Sequence, residues 1–136
     1  MNVFVDASAW VPMDVAADQW RPDILRVMAE LRPQRRVRLF TTNWTLYEAL
    51  SIARRADPRA ALMLNDRARS GSTVIRVESG MEREALKTFF SWVDKKASVV
   101  DHVNTLAARH ARCEAIISFD RDFIPLAAAA GLRILR

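Results

Sequence analysis

The stretch Asn2-Val-Phe-Val-Asp-Ala-Ser8 decides the fold. Val3-Phe-Val5 is β-branched or aromatic throughout, with no polar interruption, as in a strand buried on both faces of a parallel sheet. Asp6 ends the run. Near the other end of the chain, Ala115-Ile-Ile-Ser118 repeats the pattern, and Asp120 follows it. Leu39 to Thr41 and the alternating Thr73 to Val77 read as second and third strands, and Arg133 to Leu135 as a fifth.

Helical segments separate these strands. Asp18 to Leu31 carries Trp20, Ile24, Val27, Met28 and Leu31 at helical spacing, with Pro22 suited to an opening turn. The next helix runs from Thr42 or Asn43 to Ala56, with Leu46, Tyr47, Leu50 and Ala53 expected on its core side. Asp57-Pro58 opens another, which Ser70-Gly71 ends. Glu82 to Val93, Ser98 to Arg112, and Ile124 to Ala130 (closed by Gly131) complete the set. Strands alternating with helices predict an α/β protein. The expected form is a three-layer α/β/α sandwich with a five-stranded, mainly parallel sheet in the order 3-2-1-4-5.

The chain has 136 residues, which fits a single domain spanning 1–136, and half of them are hydrophobic. Its 21 basic and 16 acidic residues give a net charge of +5, a modest excess that favours a polyanionic partner. Cys113 is the only cysteine, so an internal disulfide and a cysteine-based zinc site are excluded, and it is expected to be a small buried thiol. With only His102 and His110, a histidine-rich metal site is not expected either. No signal-peptide pattern opens the sequence, and Phe123 to Leu132 is too short to span a bilayer. The expectation is a cytoplasmic protein with no membrane association.

Four acids stand where this topology would gather them. Asp6 and Asp120 follow the first and fourth strands, while Glu48 and Asp101 are expected in opening turns of helices leaving the same sheet edge. Open parallel sheets bind ligands at their carboxyl edge, where strand order reverses. Clustered carboxylates repel and raise one another's pKa unless a cation is present, and oxygen ligands suit Mg²⁺ or Mn²⁺. Each acid also has a plainer role. Asp6 and Asp120 suit helix caps or turns, Glu48 a solvated helix face, and Asp101 the fourth position of a capping box begun by Ser98. The joint pattern favours a metal site, because the plainer roles need a separate reason at every position.

These residues resemble the PIN domain, most closely the VapC-type toxin ribonucleases of toxin–antitoxin pairs. The resemblance rests on Val3-Phe-Val-Asp-Ala-Ser8, on Glu48, on Asp94-Lys-Lys-Ala-Ser-Val-Val-Asp101 and on Ile117-Ser-Phe-Asp-Arg-Asp-Phe123. It implies a Mg²⁺-dependent endoribonuclease, with Mn²⁺ able to substitute, in which Asp6, Glu48, Asp101 and Asp120 are the catalytic, metal-binding acids. Ser8 matches a polar residue beside the first acid, and Ser118 stands where the family more often has Thr. Asp122 competes with Asp120 as fourth acid, and Asp120 is favoured because it comes first after the strand. The resemblance further implies an RNA substrate, a cognate antitoxin and a homodimer.

Arg32, Arg35, Arg36 and Arg38 form a basic group, and Lys95, Lys96 and Arg121 flank two of the acids. Either set could track RNA phosphates or simply solvate the surface. Trp10 and Trp44 could stack on bases, although core packing is the plainer role. Trp20 and Trp92 are assigned to the core or to a dimer contact. Two other classes compete with the nuclease. One is a catalytically silent module that binds RNA or a protein. The other is a receiver-like phosphoacceptor, disfavoured because the first strand carries no acidic pair and no Lys follows the last.

Overall fold

The computed structural model describes residues 1–136. Its sheet has five strands, β1 (Asn2–Val5), β2 (Arg38–Thr42), β3 (Ser72–Ile75), β4 (Ala115–Ile117) and β5 (Arg133–Leu135), in the order β3-β2-β1-β4-β5. All four pairings are parallel. The helices are α1 (Ala7–Asp14), α2 (Arg21–Leu31), α3 (Asn43–Ala56), α4 (Pro58–Gly71), α5 (Ser79–Ser91), α6 (Val99–His110) and α7 (Ile124–Ala129), with a 3₁₀ turn at Arg121–Phe123. The expected sheet and strand order are the ones found.

The alternation of side chains along a strand divides the core in two. Val3, Val5, Ala115 and Ile117 point into a 21-residue cluster with Trp10, Ile24, Leu46 and Leu64 of α1 to α4. Phe4 and Ile116 point the other way, to Ala107 and Ala108 of α6, Phe123, and Leu126 and Ala127 of α7. Val3–Val5 and Ala115–Ile117 are therefore apolar throughout, since each face is covered by helices. Burying such a Val, Ile or Phe side chain contributes about 1.5–3 kcal/mol.

Helix α1 has no counterpart in the sequence expectations. It is buried at Ala7, Ala9, Trp10, Val11, Pro12 and Met13, so it shows no amphipathic stripe, and Pro12 lies inside it. The helix expected from Asp18 begins instead at Arg21. Asp18 accepts the Trp20 N–H at 2.8 Å and holds a turn, while Arg21 reaches back to the Pro12 and Met13 carbonyls. The sixth helix stops at His110 rather than Arg112. Arg112 takes a left-handed conformation (φ 52°), the Arg112 N–H bonds the Arg109 carbonyl, and the Cys113 N–H bonds that of Ala108. This is a Schellman stop without the usual glycine. Gly131 (φ 72°) makes the same stop after α7. Tyr47, expected on the core side of α3, is half-exposed.

No helix is long and apolar enough to cross a membrane. Cys113, expected to be buried, is only partly covered, and desolvation still pushes its thiol up to about 11.

Candidate active site

The registers of β1, β2 and β4 build the site at their carboxyl edge. Val5 pairs with Ile117, and the Asp6 N–H extends that ladder to the Ile117 carbonyl at 3.1 Å. Asp6 thus lies beside Ser118 at the point where strand order reverses. It also caps α1, accepting the Ser8 N–H at 3.4 Å. Thr42, the last residue of β2, caps α3 by accepting the Thr45 N–H at 3.1 Å. Glu48 follows in the second turn of that helix, one turn later than expected. Ser98 and Asp101 form a complete capping box at the start of α6, with bonds of 2.8 and 3.1 Å. The helix-cap role set beside the metal role for Asp101 is therefore real. It occupies one carboxylate oxygen and leaves the other uncommitted.

Asp6 is the hub of the polar network. Its Oδ2 accepts the hydroxyls of Ser8 at 2.7 Å and Ser118 at 3.0 Å, and its Oδ1 accepts the Asn104 amide at 3.3 Å. The two serine oxygens in turn accept the backbone N–H groups of Phe119 and Asp120. Each serine therefore ties the Asp6 carboxylate to the loop that carries Asp120. Asp120 is exposed and caps the 3₁₀ turn by accepting the Asp122 N–H at 2.9 Å. Asp122 is exposed as well, within that turn.

The electrostatics join the four acids. Asp6 is almost fully buried, and desolvation raises its pKa despite the hydrogen bonds that oppose the shift. Asp101 is pushed up to about 6, first by desolvation, with the charges of Asp6 and Asp120 adding to it. Glu48 is raised too, by desolvation and then by Asp6 and Asp120, although its position on α3 is exposed overall. Asp122 contributes to neither shift. The ion pairs of the chain join Arg26 to Asp23 and Glu30, and Arg67 to Asp14. None involves the four acids, so the crevice holds negative charge that no Lys or Arg offsets.

The spacing is open. No three His, Cys, Asp or Glu side chains lie close enough to enclose a cation by themselves. A cation here would take one or two carboxylates and complete its shell with water, and hard oxygen donors of this kind would suit Mg²⁺ or Mn²⁺.

The basic residues separate by position. Arg38 opens β2 and pairs with Asn2 at the start of β1, so the Arg32–Arg38 group lies at the amino edge of the sheet, away from Asp6. That placement removes it from the crevice. Lys95, Lys96 and Arg121 are exposed in the segments that deliver Asp101 and Asp120. Trp10 is core, and Trp20 stacks on Phe119 with ring centroids 5.1 Å apart. Sequence reasoning missed Asn104, Thr42 and Thr45, all fully buried. The available signal was Asn104 itself, a polar residue one turn after Asp101 among Val103, Ala107 and Ala108 on the apolar face of α6.

The crystal structure of the Mycobacterium tuberculosis protein VapC20, a sarcin-ricin loop cleaving toxin, matches with a TM-score of 0.80. The match covers 96% of this chain and 95% of VapC20 at 24% sequence identity. This chain has the VapC20 fold. No protein-family model and no curated protein sequence matches it. At this level of identity the likeness extends to the fold, the one the PIN-domain resemblance led us to expect.

Proposed function

We propose that the chain is a metal-dependent endoribonuclease of the toxin type, hydrolysing RNA phosphodiesters. The observation that carries this is the group of Asp6, Glu48 and Asp101, all desolvated, with the charges of Asp6 and Asp120 raising both Glu48 and Asp101 and no basic side chain paired with any of them. Such a cluster is costly unless a cation binds it, and an open set of carboxylates fits Mg²⁺ or Mn²⁺. Asp6, Glu48, Asp101 and Asp120 are the proposed ligands. A bound divalent ion supplies charge neutralisation on the scissile phosphate and a lowered pKa for attacking water. The protein contributes a fixed Asp6 carboxylate at a reversal point, a second acid held by a helix cap, and Lys95, Lys96 and Arg121 to receive flanking phosphates.

An intracellular ribonuclease of this kind needs restraint, so a cognate antitoxin is the proposed partner, together with self-association as a homodimer. Tyr47, Ile52, Leu62 and Met63 expose apolar surface on α3 and α4 that supports a protein contact. The test is cleavage of RNA, beginning with a sarcin-ricin loop oligonucleotide, in Mg²⁺, in Mn²⁺ and after chelation. Cleavage should disappear with EDTA and fall by about a hundredfold or more in Asp6→Asn, since such charge stabilisation is worth several kcal/mol. Equal rates for Asp6→Asn and wild type refute the proposal.

The apolar surface exposed on α3 and α4 favours one alternative, a silent module that binds RNA or protein on the same scaffold. Calorimetry separates the two. Mn²⁺ binding without cleavage of any RNA class supports the silent module.

A further inference from the structure

We infer that Asn104 is a positioning residue, the one side chain that fixes Asp6, Glu48 and Asp101 relative to one another for cation binding. The inference rests on the proposed metal site and adds a residue to it that does not touch the ion.

Asn104 is fully buried, and it lies one turn after Asp101 on the same face of α6. Its carbonyl oxygen accepts the Thr45 hydroxyl at 2.5 Å and lies 3.4 Å from the Thr42 hydroxyl. The Thr42 hydroxyl is itself within 3.1 Å of the Thr45 oxygen. A one-way chain satisfies all three groups, with Thr42 donating to Thr45, Thr45 to the Asn104 carbonyl, and the Asn104 amide to Asp6. The ionised Asp6 carboxylate, which only accepts, decides which way the amide faces. The Asn104 nitrogen must point at Asp6 Oδ1, 3.3 Å away, which leaves its oxygen to the hydroxyls of Thr42 and Thr45.

Three acid-bearing elements meet in this chain. Thr42 and Thr45 open the helix whose next turn carries Glu48, Asn104 sits on the helix begun by Asp101, and Asp6 ends β1. A buried amide is costly without partners, and a packing role alone would be filled as well by Leu. Here the amide is satisfied at both ends, by groups from two different elements.

The count of donors on Asp6 gives the Asn104 bond its purpose. Oδ2 receives Ser8 Oγ, Ser118 Oγ and the Ser8 N–H, which leaves it no room for a cation. Oδ1 receives Asn104 as its only side-chain donor, and a carboxylate oxygen accepts at about two lone-pair sites. Asp6 thus has one free acceptor direction, on Oδ1, and Asn104 fixes it. Asp6 is assigned a monodentate role, aimed by Asn104.

Two variants test this. Asn104→Leu keeps the branched shape and removes the donor. Thr45→Val keeps the shape and removes the hydroxyl that anchors the amide oxygen to α3. Mn²⁺ affinity by titration calorimetry should weaken about tenfold in Asn104→Leu and less in Thr45→Val. With RNA, kcat should fall while KM stays within twofold, because RNA is held elsewhere. A crystal structure of metal-free Asn104→Leu should show the Asp6 carboxylate rotated from its wild-type position. An Asp6 carboxylate that stays in place, or Mn²⁺ affinities within twofold of wild type in folded Asn104→Leu or, if that fails to fold, in folded Thr45→Val, overturn the inference alone. A wild-type chain that binds no Mn²⁺ overturns the metal-site proposal beneath it.

Discussion

Ser118 donates its hydroxyl to Asp6 Oδ2 at 3.0 Å, across a sequence separation of 112 residues, while its oxygen accepts the Asp120 N–H at 3.2 Å. One hydroxyl thereby holds the first acid and the loop of the last. A hydroxyl donor to an ionised carboxylate favours the charged form, and this bond opposes the desolvation that raises Asp6.

Ser118→Ala should therefore raise the Asp6 pKa further and move the acid limb of the cleavage profile to higher pH. Hydrogen bonds to charged groups are worth about 1.5–3 kcal/mol, so a rate loss of roughly tenfold or more is expected near the acid limb. Ser118→Thr keeps the hydroxyl and should behave as wild type. The pH dependence of kcat/KM for the three proteins checks this, and superimposable profiles for Ala and wild type would count against any role for Ser118.

Asp120 and Asp122 are two residues apart, yet only Asp120 acts on the other acids. It raises both Glu48 and Asp101. Asp120→Asn should cost at least tenfold in cleavage and lower the pKa of Asp101, since a neighbouring negative charge is removed. Asp122→Asn should stay within about threefold of wild type. Rates for both, with the Asp101 carboxyl followed by NMR, decide the assignment. The reverse ranking would move the fourth acid to Asp122.

The sheet was legible because β1 and β4 each carry an unbroken apolar run of three residues, and that pattern has few other readings at this length. Val3 to Val5 and Ala115 to Ile117 announced themselves, and Asp6 and Asp120 were conspicuous as the acids that stop them. Helix α1 was not legible, because a helix buried all round carries no periodic stripe and Pro12 argues against it. The α6 stop was missed because Arg112 occupies a left-handed position where sequence patterns look for Gly. The support around Asp6 was invisible for another reason. Asn104, Thr42 and Thr45 are ordinary polar residues, and only the folded pairing of α3, α6 and β1 turns them into a chain.

The positions of the basic side chains yield a prediction about salt. Lys95, Lys96 and Arg121 lie in segments that reach the acidic crevice, whereas Arg32, Arg35, Arg36 and Arg38 lie toward the opposite sheet edge. Removing one Lys or Arg that neutralises a phosphate should reduce the slope of log affinity against log salt by about 0.7 for single-stranded RNA. The triple variant Lys95→Ala, Lys96→Ala, Arg121→Ala should lower the slope by up to about 2. Neutralising Arg32, Arg35 and Arg36 should leave it unchanged. Binding isotherms of a catalytically inactive Asp6→Asn background at several salt concentrations make the comparison. A large slope change from the Arg32 group instead would place RNA on the other edge.

Asp101 offers the sharpest link between charge and stability. Its pKa is raised from 3.8 to about 6, so the metal-free folded state holds this proton more tightly than the unfolded chain does. Stability from this group is highest at low pH, is lost as pH rises from about 4 through about 6, and stays low above that. The full penalty is on the order of 3 kcal/mol. Asp101→Asn removes the charge but keeps an oxygen for the Ser98 N–H, so the capping box survives. The variant should melt several degrees above wild type at pH 7.5 without metal, and the gap should close near pH 4. Asp101→Ala loses that oxygen and should give back about 1 kcal/mol of the gain. Mn²⁺ at a hundred times its dissociation constant should stabilise wild type by about 2.7 kcal/mol at pH 7.5, less at pH 5 where protons compete, and Asp101→Asn far less at either pH. Melting curves across pH, with and without Mn²⁺, measure all of this. An Asp101→Asn protein that melts well below wild type at pH 7.5 without metal would make Asp101 a cap and nothing more.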